Sequence, residues 1–303
     1  MGGPGSTASA RLAGQDRPST TEARELLRRL GAKPVKGLGQ HFLVDRTVQE
    51  TIVSAADLGP GDTVIEVGPG LGVLTQELAR RAGRVIAVEV DPRLSGALRE
   101  RLSQFQHLTV VNADVLDVQP QELVATHARP ETHPPPYKVV ANLPYYVAAP
   151  ILRHFLEASL KPSLMVVMVQ REVAQSIAAS PGAMSILAVS VQLYGKPRIV
   201  DYVPASCFYP RPKVDSAIVR IEVYPELAVK VSSVSSFFEL VKAGFSAPRK
   251  QLRNSLAQGL GVAPSDAEQL LRRADIAPQR RPEALSLDEW ARLLGHFEEK
   301  SRG

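Results

Sequence analysis

The feature that most constrains the fold is an apolar strand that runs straight into a glycine-rich turn. Residues 63–72 read TVIEVGPGLG, and a helical pattern follows over residues 73–81. Glycines at a strand-to-helix turn allow the backbone to approach a ligand closely. The spacing is G-x-G-x-G, without the rest of the dinucleotide fingerprint, so the turn alone predicts a ligand but does not identify it.

Acidic residues follow the next two predicted strands, in step with this turn. Glu89 ends the strand over residues 84–90, about 20 residues after Gly68, where an acid typically holds the hydroxyls of a ribose. Asp114 comes just after a third strand, residues 108–112, where it can accept from an adenine amine. Either acid alone could be a helix cap or a solvated turn residue. Because both acids follow a predicted strand in step with the glycine turn, the sequence favours a ligand that contains adenosine.

The residues around the turn distinguish two adenosine-containing ligands. A dinucleotide needs a turn that admits pyrophosphate at the helix N-terminus. Here Pro69 lies within the turn and Glu66 lies two residues before Gly68. Because a carboxylate repels phosphate but suits a sulfonium and an amino group, the sequence favours S-adenosylmethionine.

A second short motif, Asn142-Leu143-Pro144-Tyr145, follows an apolar run over residues 137–141. Pro144 ends the strand, which places the motif in a loop at the carboxyl end of the sheet. The side-chain oxygen of Asn142 and the Leu143 carbonyl can accept both hydrogens of an adenine N6, which makes that nitrogen more nucleophilic. Tyr145 offers a face for a flipped-out base. An Asn-capped turn with a packed tyrosine explains the tetrapeptide equally well.

Two further stretches have a composition that suits nucleic acid. In the proline-rich loop over residues 207–216, Phe208 and Tyr209 stand beside Arg211 and Lys213, which combines stacking with positive charge. A rigid loop with a core aromatic is the alternative. Residues 240–265 contain no acid, and a phosphate-binding strip or a solvated basic face would explain this. The basic residues expected to contact RNA there are Lys242, Arg249, Lys250 and Arg253.

Composition and length set the remaining limits. The 303 residues suffice for two domains, and 36 Lys and Arg against 31 Asp and Glu give a net charge of +5, which permits a polyanionic partner. The single cysteine, Cys207, excludes a disulfide framework and a cysteine zinc site, and we expect no metal. No apolar run is long enough to cross a membrane. We predict a disordered tail over residues 1–18, a ligand-binding domain over residues 19–224 and a helical domain over residues 225–303.

Taken together, these motifs resemble a known family. Residues 39–43, 66–72, 142–145, 208–216 and 245–256 occur in the order seen in the KsgA-type rRNA adenine N6,N6-dimethyltransferases, and the resemblance spans about residues 33–300. It implies an α/β class I (Rossmann-like) methyltransferase sheet of seven strands, one of them antiparallel, with a small helical C-terminal domain that binds RNA. It also implies dimethylation of two adjacent adenines in the 3′-terminal hairpin of small-subunit rRNA, within an assembling subunit. Separately, we expect a monomer in the cytoplasm.

The resemblance also implies roles for individual residues. His41 and Leu43 would contact the methyl donor, Gly68 would pack against its amino-acid part, and Asn142 would bridge donor and acceptor. The residues expected to bind the donor are His41, Leu43, Gly68, Glu89, Asp114 and Asn142. The residues expected at the target base are Asn142, Leu143, Tyr145 and Phe208, with the two aromatic rings enclosing the base. The chain departs from the family pattern at His41, where Asn is common, and at Pro248, where an arginine is usual.

Three other functions remain open on sequence alone. An Erm-type enzyme, which methylates large-subunit rRNA, shares the donor motifs, although residues 245–256 favour the small-subunit enzyme. A DNA adenine methyltransferase usually carries a separate target-recognition domain. An assembly or transcription factor could keep the fold and use methylation only secondarily. Arg11, Asp16 and Arg17 make residues 1–18 a poor transit peptide.

Overall fold

The computed structural model describes residues 20–29, 34, 40–127 and 136–302. The predicted disordered tail over residues 1–18 lies outside these ranges. The nine strands are β1 (Phe42–Leu43), β2 (Thr63–Val67), β3 (Arg84–Glu89), β4 (Leu108–Asn112), β5 (Tyr137–Asn142), β6 (Leu164–Gln170), β7 (Gly195–Val203), β8 (Phe208–Tyr209) and β9 (Ser216–Val223), all within the described part of the chain.

Helices connect and cover these strands. Before β7 in the described chain they are α1 (Thr20–Arg29), α2 (Arg46–Ala56), α3 (Val73–Ala79), α4 (Pro92–Arg101), α5 (Pro120–His127), α6 (Ala148–Leu156), α7 (Arg171–Ile177) and α8 (Ile186–Gln192). After β9 come α9 (Val234–Gly244), α10 (Leu252–Leu260), α11 (Pro264–Arg273) and α12 (Leu287–Arg302).

Seven strands form one mixed sheet in the order β4-β3-β2-β5-β6-β9-β7. The strands from β4 to β6 pair in parallel, and β9 runs antiparallel to both of its neighbours, β6 and β7. The expected sheet with one antiparallel strand is therefore confirmed. The order reverses direction at β2 and β5, and ligands bind at such switch points beyond the carboxyl ends of the strands.

The central strands of the sheet are buried on both faces, which explains why they are nearly continuous apolar runs. In β6, Met165 and Val167 pack with the cluster that contains α6, α7 and α8, while Val166 and Met168 pack with α2 and α3. All four side chains are fully buried. Central strands covered on both faces give the carboxyl edge a rigid base.

A second, two-stranded sheet lies over that edge. In it β1 pairs antiparallel with β8, with Phe42 opposite Tyr209 and Leu43 opposite Phe208. The Val44 N–H donates to the Cys207 carbonyl at 2.9 Å, which extends the pairing. The loop before α2 is thus tied to the loop before β9, although the two are far apart in sequence.

The C-terminal helices have their own aromatic centre. The fully buried Trp290 stacks on Phe245 with ring centroids 6.0 Å apart, and a Cβ on Gly244 would come within 2.3 Å of the indole. The loop before α8 is joined to this region, because the N–H groups of Gly182 and Met184 donate to the Glu283 carbonyl at 2.8 and 3.0 Å. The helical C-terminal region predicted from sequence is confirmed. Among the described helices, none has the length and apolar character that a membrane crossing needs.

Candidate active site

A pocket opens where the carboxyl ends of β2, β3 and β5 meet the β1 segment. Its walls come from four stretches that sequence analysis singled out, separated in the chain and adjacent in space. The lining residues are Gln40, His41, Phe42, Leu43, Glu66, Gly68, Pro69, Gly70, Leu71, Val73, Leu74, Glu89, Val90, Leu94, Asn142, Leu143, Pro144, Tyr145 and Tyr146.

The glycine-rich turn has a backbone that side chains would not tolerate. Gly68, Gly70 and Gly72 have φ values of 65°, 56° and 70°, in the left-handed region that favours glycine. A Cβ on Gly70 would stand 2.9 Å from a ring carbon of Phe42. The absence of side chains in the turn therefore allows the β1 segment to pack against it and form one wall of the pocket.

Glu89 is built into the pocket wall by the backbone. One of its carboxylate oxygens accepts the Gly70 N–H and the other accepts the Asp91 N–H, both at 3.0 Å. Its side chain is only 4% exposed. Burial raises the pKa of Glu89, while the two backbone donors oppose that rise by stabilising the carboxylate. The arrangement fixes the carboxyl group at the carboxyl end of β3, and both of its oxygens keep a lone pair that can accept from a ligand.

Glu66 is the second carboxyl group of the pocket, and it is almost fully buried. Burial raises the pKa of Glu66 to about 8, and the nearby Glu89 adds to the rise. Within the described residues its Oε2 has no hydrogen-bond partner. A buried polar atom without a partner is costly, so a ligand that donates a hydrogen bond or brings positive charge would relieve that cost.

Asn142 ends β5 with its amide oriented by the opposite wall. Its Nδ2 donates to the backbone carbonyl of His41 at 3.1 Å. Because a carbonyl can only accept, this contact fixes which end of the amide is which. The Oδ1 is buried and finds no partner within the described residues. The site therefore holds an acceptor atom ready for a donor that the protein itself does not supply.

His41 and Tyr145 form a stacked pair at the pocket. Their ring centroids are 5.5 Å apart with an interplanar angle of 27°. His41 Nδ1 donates to the Pro210 carbonyl at 2.8 Å, and the Tyr145 hydroxyl lies 2.6 Å from Ser216 Oγ. Burial raises the pKa of Tyr145, so its hydroxyl stays neutral. Both rings are thus anchored through their polar atoms, with ring surface in the pocket.

Two predicted site residues do not line the pocket. Asp114 is exposed beyond β4, and its Oδ1 accepts the Leu116 N–H at 3.0 Å, which is the helix-capping alternative. Phe208 is 2% exposed and packs in the core cluster with Leu43. In this arrangement a base could reach Phe208 only if the β1–β8 sheet moved, because Leu43 pairs with it. Contact of Asp114 and Phe208 with ligands stays a prediction.

Other lining residues were missed by the sequence analysis. Val90 directly follows Glu89 and is 46% exposed, and Tyr146 directly follows Tyr145 and is 60% exposed. Their position next to predicted site residues was the available signal. Leu71 and Leu94 gave no such signal, because they look like ordinary apolar residues of a turn and a helix. Together these side chains add apolar surface around the acids and the amide.

The donor set of the pocket fits S-adenosylmethionine. That molecule has a sulfonium, an ammonium group and an adenine amine, which are cationic or donate hydrogen bonds. The pocket offers the oxygens of Glu66, Glu89 and Asn142, two of them without a partner, and a glycine turn open to close approach. Among the described residues, no cluster of three or more His, Cys, Asp and Glu is arranged to hold a metal ion.

The sheet order and the position of this pocket define a class I S-adenosylmethionine-dependent methyltransferase fold. Comparison with known proteins makes the class narrower. The family model described as ribosomal RNA adenine dimethylase matches residues 32–298, and the chain belongs to this family.

Individual relatives cover almost the whole chain. The ribosomal RNA small subunit methyltransferase A of Dehalococcoides mccartyi is 48% identical over 285 residues, which are 94% of this chain and 96% of the relative. The protein of the same description from Pelotomaculum thermopropionicum is 45% identical over 284 residues, covering 92% and 96%.

Solved structures agree on the fold. The 23S rRNA methyltransferase ErmE has a TM-score of 0.66 at 30% identity, covering 85% of this chain and 99% of its own. A dimethyladenosine transferase from Plasmodium falciparum has a TM-score of 0.71 at 24% identity, covering 86% and 98%. These structures support the class I fold with its C-terminal extension.

Proposed function

We propose that the protein transfers methyl groups from S-adenosylmethionine to N6 of two adjacent adenines in the 3′-terminal hairpin of small-subunit rRNA, giving N6,N6-dimethyladenosines. The single observation that carries the proposal is the amide of Asn142. Its nitrogen is held by the His41 carbonyl, and its buried oxygen has no protein partner among the described residues. An exocyclic adenine amine supplies the hydrogen that this oxygen lacks.

On the donor side, each residue has a binding role. When bound, S-adenosylmethionine supplies a methyl group activated by the sulfonium. Glu89 holds the ribose hydroxyls, Glu66 faces the cationic part, and Gly68 lets the backbone approach the amino-acid part. His41 and Leu43 close the pocket through the β1 segment. Asp114 would bind the adenine amine through its Oδ2, because the cap to the Leu116 N–H uses Oδ1.

On the acceptor side, positioning supplies the rate. The Asn142 oxygen and the Leu143 carbonyl accept the two N6 hydrogens, which draws the lone pair out of conjugation with the ring. Tyr145 stacks on the flipped base, in a place where it now stacks on His41. The methylated amine is cationic and acidic enough to lose its proton to water, so the proposal needs no general base.

The proposed partner is rRNA in an assembling small subunit, bound by the monomeric enzyme in the cytoplasm. The printed description of the relatives at 45–48% identity names the small subunit, and this supports the choice. Lys242, Arg249 and Lys250 are exposed, as RNA contacts must be. Arg253 is different, because it pairs with Glu268 at 3.2 Å, so we propose a mainly structural role for it.

The alternative is methylation of large-subunit rRNA, which the likeness to ErmE favours at 30% identity. A tritium-transfer assay with S-adenosylmethionine separates the two when undermethylated small subunits, large subunits and duplex DNA serve as acceptors. Nucleoside mass spectrometry then identifies the product. We expect dimethyladenosine in the small subunit alone. Label confined to the large subunit would overturn the proposal, and absence of label with donor binding intact would favour an assembly role.

A further inference from the structure

Tyr202, near the end of β7, is an exposed aromatic outside the pocket. Its side chain is 45% exposed, in a chain where aromatic residues make up only 5%. The guanidinium of Arg171, the first residue of α7, lies over the ring with its carbon 4.9 Å from the centroid. A cation at that distance attracts the ring face. Tyr202 is therefore held in place while much of its surface stays open to solvent.

The pair lies close to the hydroxyl that anchors Tyr145. Ser216, which bonds that hydroxyl, is paired in the sheet with the residue before Arg171 and with the residue after Tyr202. Because successive strand residues point to opposite faces, Tyr202 lies on the other side of the sheet from the Ser216 hydroxyl. The Tyr202–Arg171 pair and Tyr145 thus flank the same edge of the sheet, one on each face.

The loop that joins the two sides is exposed and fixed. Lys213 and Val214 are exposed, and the Arg171 N–H donates to the Asp215 carbonyl at 3.0 Å. Two of the three nearby acids are engaged with the backbone, since Asp215 accepts the Ala205 N–H and Asp201 accepts the Tyr202 N–H. The third, Glu172, is exposed next to Arg171. Opposite charges are mixed here, so stacking surface, and not net charge, distinguishes this patch.

We propose that Tyr202 and Arg171 form a platform on which a nucleotide flanking the target adenine stacks. The inference rests on the proposed function and names a second contact with its substrate. A base that leaves its stack to enter the pocket also leaves a neighbour unstacked. Single-stranded RNA is commonly held by stacking of such bases on aromatic rings and guanidinium planes.

Steady-state methyl transfer to undermethylated small subunits tests the platform with full-length protein. Tyr202→Ala should raise the KM for subunits about five- to tenfold, the lower end of the range for one stacked base, and leave kcat within about twofold. Tyr202→Phe keeps the ring and should behave like the wild type. Arg198→Ala is the matched control, because it removes an exposed arginine from the same strand. Thermal unfolding verifies that each variant is folded.

A second readout does not depend on methylation. A hairpin RNA with 2-aminopurine next to the target adenine should lose fluorescence on binding the wild type, and lose less on binding Tyr202→Ala. The platform is overturned if Tyr202→Ala matches the wild type in KM and quenching, or if Tyr202→Phe is as defective as Tyr202→Ala. If the wild type methylates no small-subunit adenine, the proposed function fails, and the hairpin quenching still decides for or against the platform.

Discussion

The donor pocket and the basic face over residues 242–253 are both polar, but they are held in different ways. In the pocket, Glu89 accepts two backbone N–H groups and Asn142 donates to a carbonyl. On the basic face, Lys242 and Arg249 are exposed and, within the described part of the chain, their side chains make no hydrogen bond or ion pair. An atom held by hydrogen bonds contributes through its exact position relative to the ligand, whereas a mobile exposed charge contributes only by being near the RNA. Substitutions should therefore have large effects in the pocket and small, additive ones on the face.

Asn142→Ala should give the largest effect. Loss of a preorganised hydrogen-bonding group at the reacting atom costs roughly 100-fold or more in rate. Single-turnover methyl transfer to undermethylated small subunits measures it, with donor at saturation. Gln192→Ala is a matched control, since its amide also donates to backbone carbonyls, those of Ile177 and Ala179 at 2.9 and 2.8 Å, and it does not line the pocket. Near-normal turnover of Asn142→Ala would sink the account of N6 activation.

Glu89→Gln should come next and act on donor binding. The two backbone donors bind different carboxylate oxygens, and glutamine replaces one of these oxygens with an NH2 group, so the N–H of either Gly70 or Asp91 loses its acceptor. The side chain then loses its fixed orientation and one acceptor for the ribose hydroxyls, so donor affinity should fall roughly 10- to 100-fold, which corresponds to about 1–3 kcal/mol. Calorimetry with S-adenosylhomocysteine measures the change. Asp114→Asn should change affinity much less, and equal losses in the two variants would show that Asp114 also reaches the ligand.

The contrast also explains what could be read from the sequence. Glu89 and Asn142 were found because each lies at the end of a buried strand, and Glu66 because it lies two residues before the first glycine of the turn. Parallel strands bring their carboxyl ends to one edge of the sheet. The sheet with its antiparallel strand and the C-terminal helices followed from the family motifs. In these regions the order of the strands along the chain determines where the side chains lie, so the sequence pattern was sufficient to predict the site residues.

Features that depend on contacts between distant segments were not predictable in this way. The aromatic pair Phe208 and Tyr209 has the composition of an RNA-binding loop, yet these residues pair with β1, and Tyr209 carries Arg24 over its ring. The core-aromatic alternative therefore describes Phe208 in this structure. Likewise, nothing in the spacing of Arg253 indicated its ion pair with Glu268, which belongs to the next helix.

Glu66→Gln should change how the stability of the protein depends on pH. Burial raises the pKa of Glu66 to about 8, so at neutral pH the folded protein keeps a proton that the unfolded chain releases. Its stabilising effect is complete below about pH 4.5 and is lost as pH rises through 8, by at most about 1.4 kcal/mol per pH unit. Thermal unfolding from pH 5 to 9 should show the variant gaining stability over the wild type with rising pH. Parallel curves would contradict the buried, protonated carboxyl.

The smallest effects should come from the basic face, and they complete the contrast. Arg249→Ala with Lys250→Ala removes two exposed charges, so the KM for small subunits should rise a few fold and the salt dependence of binding should fall by about one unit of slope per residue. Donor affinity and thermal stability should not change. Arg253→Ala should instead lower the thermal unfolding temperature slightly through its lost pair with Glu268, with little change in slope. If Arg253→Ala reduced the salt dependence of binding as much as Arg249→Ala, the Arg253–Glu268 ion pair would have to break when RNA binds. Arg253 would then contact RNA from a fixed position, as the pocket residues contact their ligand.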